Sequence, residues 1–252
     1  MELTTVALLV VAGFAGGTIN AIVGSGTLLV YPALLAIGLP PVVANGTNTT
    51  GLCLGGLSSA FGYRRELAGR MRRLALPLAG SITAACLGAW LVISLPERVF
   101  VAVVPWLILM ATLLVAVQPR VVRWLRSRNG GDRTASTPTL TAAVTASGVY
   151  GGYFGAAQGV ILMAILGTLY DPDLQRSNGA KNLMATGANI AAAVVFALAG
   201  RVYWLAALCV AAGALAGGII GARLGHKLPD RVMRAAVVAV GVIAAASLLV
   251  RR

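Results

Sequence analysis

Leu95-Pro96-Glu97-Arg98-Val99 returns 133 residues later as Leu228-Pro229-Asp230-Arg231-Val232. The same spacing links Gly26, Asn45, Gly46 and Gly88 to Gly159, Asn178, Gly179 and Gly221. At two polar positions the copies differ: Asn48 becomes Lys181, and Ser25 becomes Gln158. The chain that carries this repeat is 58% hydrophobic and 11% charged. A soluble domain carries about 25% charged residues, and so few charges could not cover a water-facing surface. A duplicated apolar chain reads as the two-fold core of a membrane carrier, with its site where the halves meet.

Apolar runs fall at 4–23, 26–38, 45–62, 74–94 and 99–118, then at 139–157, 159–170, 178–199, 203–222 and 235–250. An upright span needs about 20 residues, so 26–38 and 159–170 are too short. Both follow glycine-rich breaks: Gly16-Gly17 and Gly24-Ser25-Gly26 before the first, Gly151-Gly152 and Gly155 before the second. Broken helices at membrane depth must face protein or a watery cavity. The expected fold class is an all-α polytopic membrane protein with two inverted repeats of five segments each. The repeats cover 1–118 and 139–252, and a basic cytoplasmic linker over 119–138 joins them.

Charge orients the segments. Arg64, Arg65, Arg70, Arg72 and Arg73 fill one loop; Arg120, Arg123, Arg126, Arg128 and Arg133 fill a second; Arg223, Lys227, Arg231 and Arg234 fill a third. Basic loops stay in the cytoplasm. Five segments per half place the loops at 63–73, 119–138 and 223–234 on one face, whereas four per half would not. An odd count inverts the second half. The formal net charge of +13 is thereby read as orientation against the inner leaflet of the plasma membrane, not as nucleic-acid binding. Met1-Glu2-Leu3-Thr4-Thr5 lacks a basic leader, so the first apolar run is expected to stay as a membrane segment.

Polar residues inside the apolar segments are the candidate site. They are Asn20 with Ser25 and Gly26 of the Gly24-Ser25-Gly26-Thr27 break; Asn45, Thr47, Asn48 and Thr49; Gln158 with Gly159; and Asn178, Lys181 and Asn182. The ordinary reading of such residues is interhelical glue, and for Lys181 it is a side chain that snorkels to the interface. The repeat-matched Asn45 and Asn178 favour a site, and Asn45-Gly46 and Asn178-Gly179 read as helix N-caps. Lys181 supplies a positive charge with no carboxylate in its segment. That combination suits a small oxyanion and fits a bare metal cation poorly. Cys53, Cys86 and Cys209 show no ligand spacing. No cofactor motif and no GxxxxGK[ST] loop is present, so the chain reads as a secondary carrier with the lipid bilayer and a small anion as its partners. A homo-oligomer is compatible with the sequence but not readable from it.

These residues resemble the sulfite exporter TauE/SafE family. The resemblance rests on Gly16–Gly26 followed by Tyr31-Pro32-Ala33-Leu34, on Ala44-Asn45-Gly46-Thr47-Asn48, and on the second copy at 148–183. It covers nearly the whole chain. Family members often show three glycines where this chain has Gly24-Ser25-Gly26. The resemblance implies movement of sulfite or a small organosulfonate across the plasma membrane; composition and spacing reach only a small anion. Two alternatives stand beside it. One is an anion channel. The other is an intramembrane serine hydrolase built on Ser25, which would need Lys181 as its base because His226, the one histidine, falls in a basic loop.

Overall fold

The structure, a computed structural model, describes residues 1–128, 136–224 and 230–250. The elements are α1 (Leu3–Ile22), α2 (Thr27–Ala36), α3 (Pro41–Gly62), α4 (Arg64–Leu67), α5 (Met71–Ser94) and α6 (Glu97–Arg128), followed by α7 (Thr137–Tyr153), α8 (Gln158–Leu169), α9 (Leu174–Leu198), α10 (Trp204–Leu224) and α11 (Asp230–Val250). Among the described residues, five helices are long and apolar enough to cross a membrane: α1, α5, α6 as far as Arg120, α9 and α10. The molecule is an all-α polytopic membrane protein. Each apolar run of the sequence has become one helix, and the two short runs are the short helices α2 and α8.

Local chemistry sets the helix starts. Proline at the first turn opens α3 and α7, where the missing N–H has no helical partner to lose. Asp173 caps α9, its carboxylate accepting from the amides of Gln175 and Arg176, both at 2.9 Å. The N-cap reading of Asn45 and Asn178 is therefore corrected: α3 begins at Pro41 and α9 at Leu174, so both asparagines lie inside their helices. The stretch expected to link the repeats begins as helix. Residues 119–128 continue α6 as helix, while Asn129-Gly130-Gly131-Asp132 lie outside the described residues. Of the third basic loop, His226 and Lys227 lie outside them too.

Gly16-Gly17 and Gly151-Gly152 are not breaks. They lie within α1 and α7, and the breaks proper occupy 23–26 and 154–157. The buried helical glycines let backbones meet, as small residues do in membrane bundles. A Cβ on Gly13 or Gly17 would overlap the backbone of Val210 or Ala214, and one on Gly213 or Gly217 that of Val10 or Phe14. Gly148 and Gly152 press on Ser81 and Ala85 of α5 in the same way. Thr18 Oγ1 fastens α1 to α10 through the Gly217 carbonyl at 3.2 Å.

These contacts also fix helix directions. Gly13 meets Val210 and Gly17 meets Ala214, so α1 and α10 run parallel. Gly51 and Gly55 meet the same two residues, so α3 runs parallel to both. The chain therefore reverses twice between α1 and α3, and α2 is a return segment. Gly46 lies by Phe196, Gly56 by Thr186 and Gly179 by Tyr63, so α3 and α9 run antiparallel. Packing partners are closed under the 133-residue shift: α1 on α10 and α7 on α5, α3 on α10 and α9 on α5, α6 on α8 and α11 on α2.

Candidate functional site

Two broken helices meet at the centre. After α1, Gly24 takes φ 83°, and at the repeat-matched position after α7, Ala157 takes φ 58°. Alanine is a rare occupant of this left-handed region, so the break keeps its backbone shape even where its glycine is lost. The breaks touch through Gly24 and Gly159, where the Gly159 amide donates to the Gly24 carbonyl at 3.1 Å.

The last carbonyls of a helix lack intrahelical donors and carry partial negative charge. At the end of α1 they are met by Lys181, whose Nζ lies 3.4 Å from Asn20 O, 3.0 Å from Ala21 O and 3.5 Å from Ile22 O. Asn182 Nδ2 also donates to Ala21 O, at 3.2 Å. Lys181 is 1% exposed, so the side chain does not snorkel. At the end of α7 the Tyr153 carbonyl accepts from Asn45 Nδ2 at 3.0 Å. The third helix of each half thus caps the first helix of the other: α9 serves α1, and α3 serves α7.

The first break gathers most of the site. Asn20 Oδ1 accepts from the Gly26 amide at 3.4 Å, and Asn48 Nδ2 donates to Thr27 Oγ1 at 3.2 Å. Asn20, Gly26, Thr27, Asn48, Lys181 and Asn182 therefore form one connected group. Ser25 Oγ and Asn48 Oδ1, in the same region, are buried without a hydrogen-bond partner. Thr27 ends the polar break read from the sequence and sits at the first turn of α2.

Other candidates lie elsewhere. Asn45 sits in the first turns of α3, whereas Asn178 donates to Tyr63 Oη at 2.7 Å, just beyond the last turn. At 1.5 Å per residue these points are roughly 27 Å apart along α3, so the matched asparagines do not converge on one ligand. Thr47 Oγ1 accepts from the Tyr203 amide at 2.9 Å, at the start of α10. The Thr49 carbonyl accepts from Cys53 Sγ, and its side chain is buried in α3. Gln158 turns toward α7, where Nε2 donates to Ser147 O at 3.3 Å. Ser25 Oγ makes no bond to Lys181, so the pairing that a serine hydrolase needs is not made.

Comparison with known proteins agrees with this architecture. The sulfite exporter TauE/SafE family profile matches residues 9–248. A "Probable membrane transporter protein" of Haemophilus influenzae is 30% identical over 225 residues, covering 88% of this chain and 84% of that protein. The "Probable membrane transporter protein ORF9" of a Sinorhizobium species is 30% identical over 250 residues, covering 96% and 92%. The "Probable membrane transporter protein YfcA" of Escherichia coli K12 is 28% identical over 237 residues, covering 92% and 85%. No solved structure matches this chain. With the profile spanning all but the two ends, the chain belongs to the sulfite exporter TauE/SafE family.

Proposed function

We propose that this chain, a membrane transporter of the TauE/SafE type, carries a small sulfur oxyanion such as sulfite, or an organosulfonate, across the plasma membrane by alternating access. The observation that carries the reading is Lys181. It is buried at the meeting point of two broken helices, and among the described residues no carboxylate pairs with it. Its carbonyl partners satisfy the ammonium donors but bring no net charge. A buried cation of this kind is expensive unless an anion visits it. The unpartnered Ser25 hydroxyl and the first-turn amide of Thr27 in α2 give a small oxyanion uncharged donors beside that charge.

The halves are read as an inverted pair. Antiparallel α3 and α9 support this, as does a packing pattern closed under the repeat, because an in-plane two-fold axis reverses matched helices. Each half then moves against the other around the central breaks. The basic loops at 63–73, 119–138 and 223–234 face the cytoplasm on this reading. The test is uptake and efflux of sulfite, sulfate, thiosulfate and sulfoacetate by the purified chain in proteoliposomes, under set proton and sodium gradients. Saturable flux that is lost in Lys181→Ala supports the proposal. Wild-type flux in a folded Lys181→Ala variant sinks the role of Lys181, and flux that does not saturate favours a channel.

A further inference from the structure

At the basic-loop end a cleft of about 420 Å³ opens between the halves. The first half contributes Arg65, Glu66 and Arg70, and the second contributes Asp173, Gln175 and Arg176. Beside the cleft, two of these arginines converge on one carboxylate. Arg70 Nη1 lies 2.7 Å from Asp171 Oδ2, and Arg176 Nη1 lies 3.6 Å from the same oxygen. The two side chains remain 33% and 47% exposed, against 9% for Asp171.

Asp171 is held in place by its own loop. Its Oδ1 accepts from the Asp173 amide at 2.9 Å, and its carbonyl accepts from Ser177 Oγ at 2.6 Å. Arg73 adds a clamp from the first half, donating to Tyr170 O at 3.3 Å and Leu169 O at 3.4 Å. A fixed carboxylate thus spans the two halves by occupying guanidinium groups of the kind that recognise oxyanions. The route inward follows α9: from Arg176 to Lys181 is five residues, roughly 7.5 Å of helix rise.

Resting on the anion-transport reading, we propose that Arg70 and Arg176 form a mouth site for the transported oxyanion, and that Asp171 is an internal carboxylate competitor that latches the halves together until the anion displaces it. The incoming anion takes over the two guanidinium groups, the link between the α4–α5 loop and the α8–α9 loop is released, and the cleft is free to open toward Lys181. No bond is made or broken in this exchange; one anion replaces another.

The test measures half-saturating sulfite concentration in two ways: by thermal shift on the detergent-purified full chain, and by flux in vesicles with sulfite presented at one face at a time. Asp171→Asn removes the competitor and leaves both arginines. It is expected to lower half-saturation roughly threefold, the weight of one partly exposed ion pair. Arg70→Gln combined with Arg176→Gln is expected to raise it by at least as much at the basic-loop face and to leave the opposite face unchanged. Arg176→Gln alone, at the longer and more exposed pair, gives the same direction should the double variant fail to fold. Folded arginine variants with wild-type half-saturation at the basic-loop face overturn the mouth site and leave anion transport standing. A wild-type chain that neither binds nor carries sulfite, sulfate, thiosulfate or sulfoacetate overturns both.

Discussion

Lys181 does two things with one ammonium group. It closes the open end of α1, and on the proposed reading it also supplies a positive charge beside the first break. Lys181→Met separates these roles, because it keeps the stem and removes the charge. Asn182 still bonds Ala21 O, so the variant is expected to fold. Its transport efficiency is expected to fall roughly ten- to a hundredfold, the weight of one hydrogen bond to a charged group (about 1.5–3 kcal/mol). Flux measured on monodisperse protein checks this, and an unchanged rate would remove Lys181 from the site. Gly24 and Ala157 give a second residue-scale expectation. Gly24→Ala needs a methyl where Gly159 already sits and an L-residue at φ 83°. It is expected to destabilise by about 2–4 kcal/mol from strain and overpacking together. Ala157→Gly relieves φ 58° and is expected to stay within about 1 kcal/mol of wild type. Thermal melting in one detergent compares the two, and equal losses would contradict the shared backbone shape. Sequence made Lys181 visible as a cation in an apolar segment. It could not show that the amine reaches carbonyls some 160 residues earlier, since that contact exists only once α9 has met α1. Nor could it flag Ala157, because nothing local marks an alanine for the left-handed region.

The helix pairs α1–α10 and α5–α7 are joined by backbone contact rather than by large side chains. Lipid gives no hydrophobic drive for helix association, so close packing at small residues carries it. Gly213→Val would force side-chain carbon into the Val10 carbonyl and the Phe14 amide. It is expected to abolish recovery of monodisperse protein by size exclusion. Gly167→Ala, with nothing within 4 Å of the added carbon, is the matched control and is expected to behave as wild type. A well-behaved Gly213→Val variant would mean that the α1–α10 contact is dispensable. The helices themselves were readable, because uninterrupted apolar runs and loop charge are local signals. The continuation of α6 through 119–128 was not: its arginines look like a loop by composition, although arginine is a good helix former. The short α4 was hidden in a basic stretch for the same reason. The glycine pairs at 16–17 and 151–152 misled in the opposite direction, since a packing glycine and a breaking glycine look alike in sequence.

At the scale of the whole molecule, the direction of α3 relative to its neighbours bears on the proposed inverted topology. α3 lies with Gly46 beside the Arg201 carbonyl and with Gly62 beside Ala222. Its 22 residues rise roughly 33 Å, about the hydrocarbon thickness of a bilayer. The loop after α3, which holds Arg65, and the loop after α9, which holds Arg201, therefore sit at opposite ends of α3. The repeat makes the same statement by charge: the basic loop 63–73 matches the nearly uncharged Gly200-Arg201-Val202-Tyr203. Both side chains are exposed, so each position can report its own face. In a chain whose Cys53, Cys86 and Cys209 are replaced by alanine, Arg65→Cys is expected to react with a membrane-impermeant maleimide only from the cytoplasmic side. Arg201→Cys is expected to react only from the other side. Labelling of both from one face would break the five-plus-five inverted arrangement. The local exchange in which α9 caps α1 and α3 caps α7 would survive that result, because it rests on contacts between helices and not on how they face the membrane.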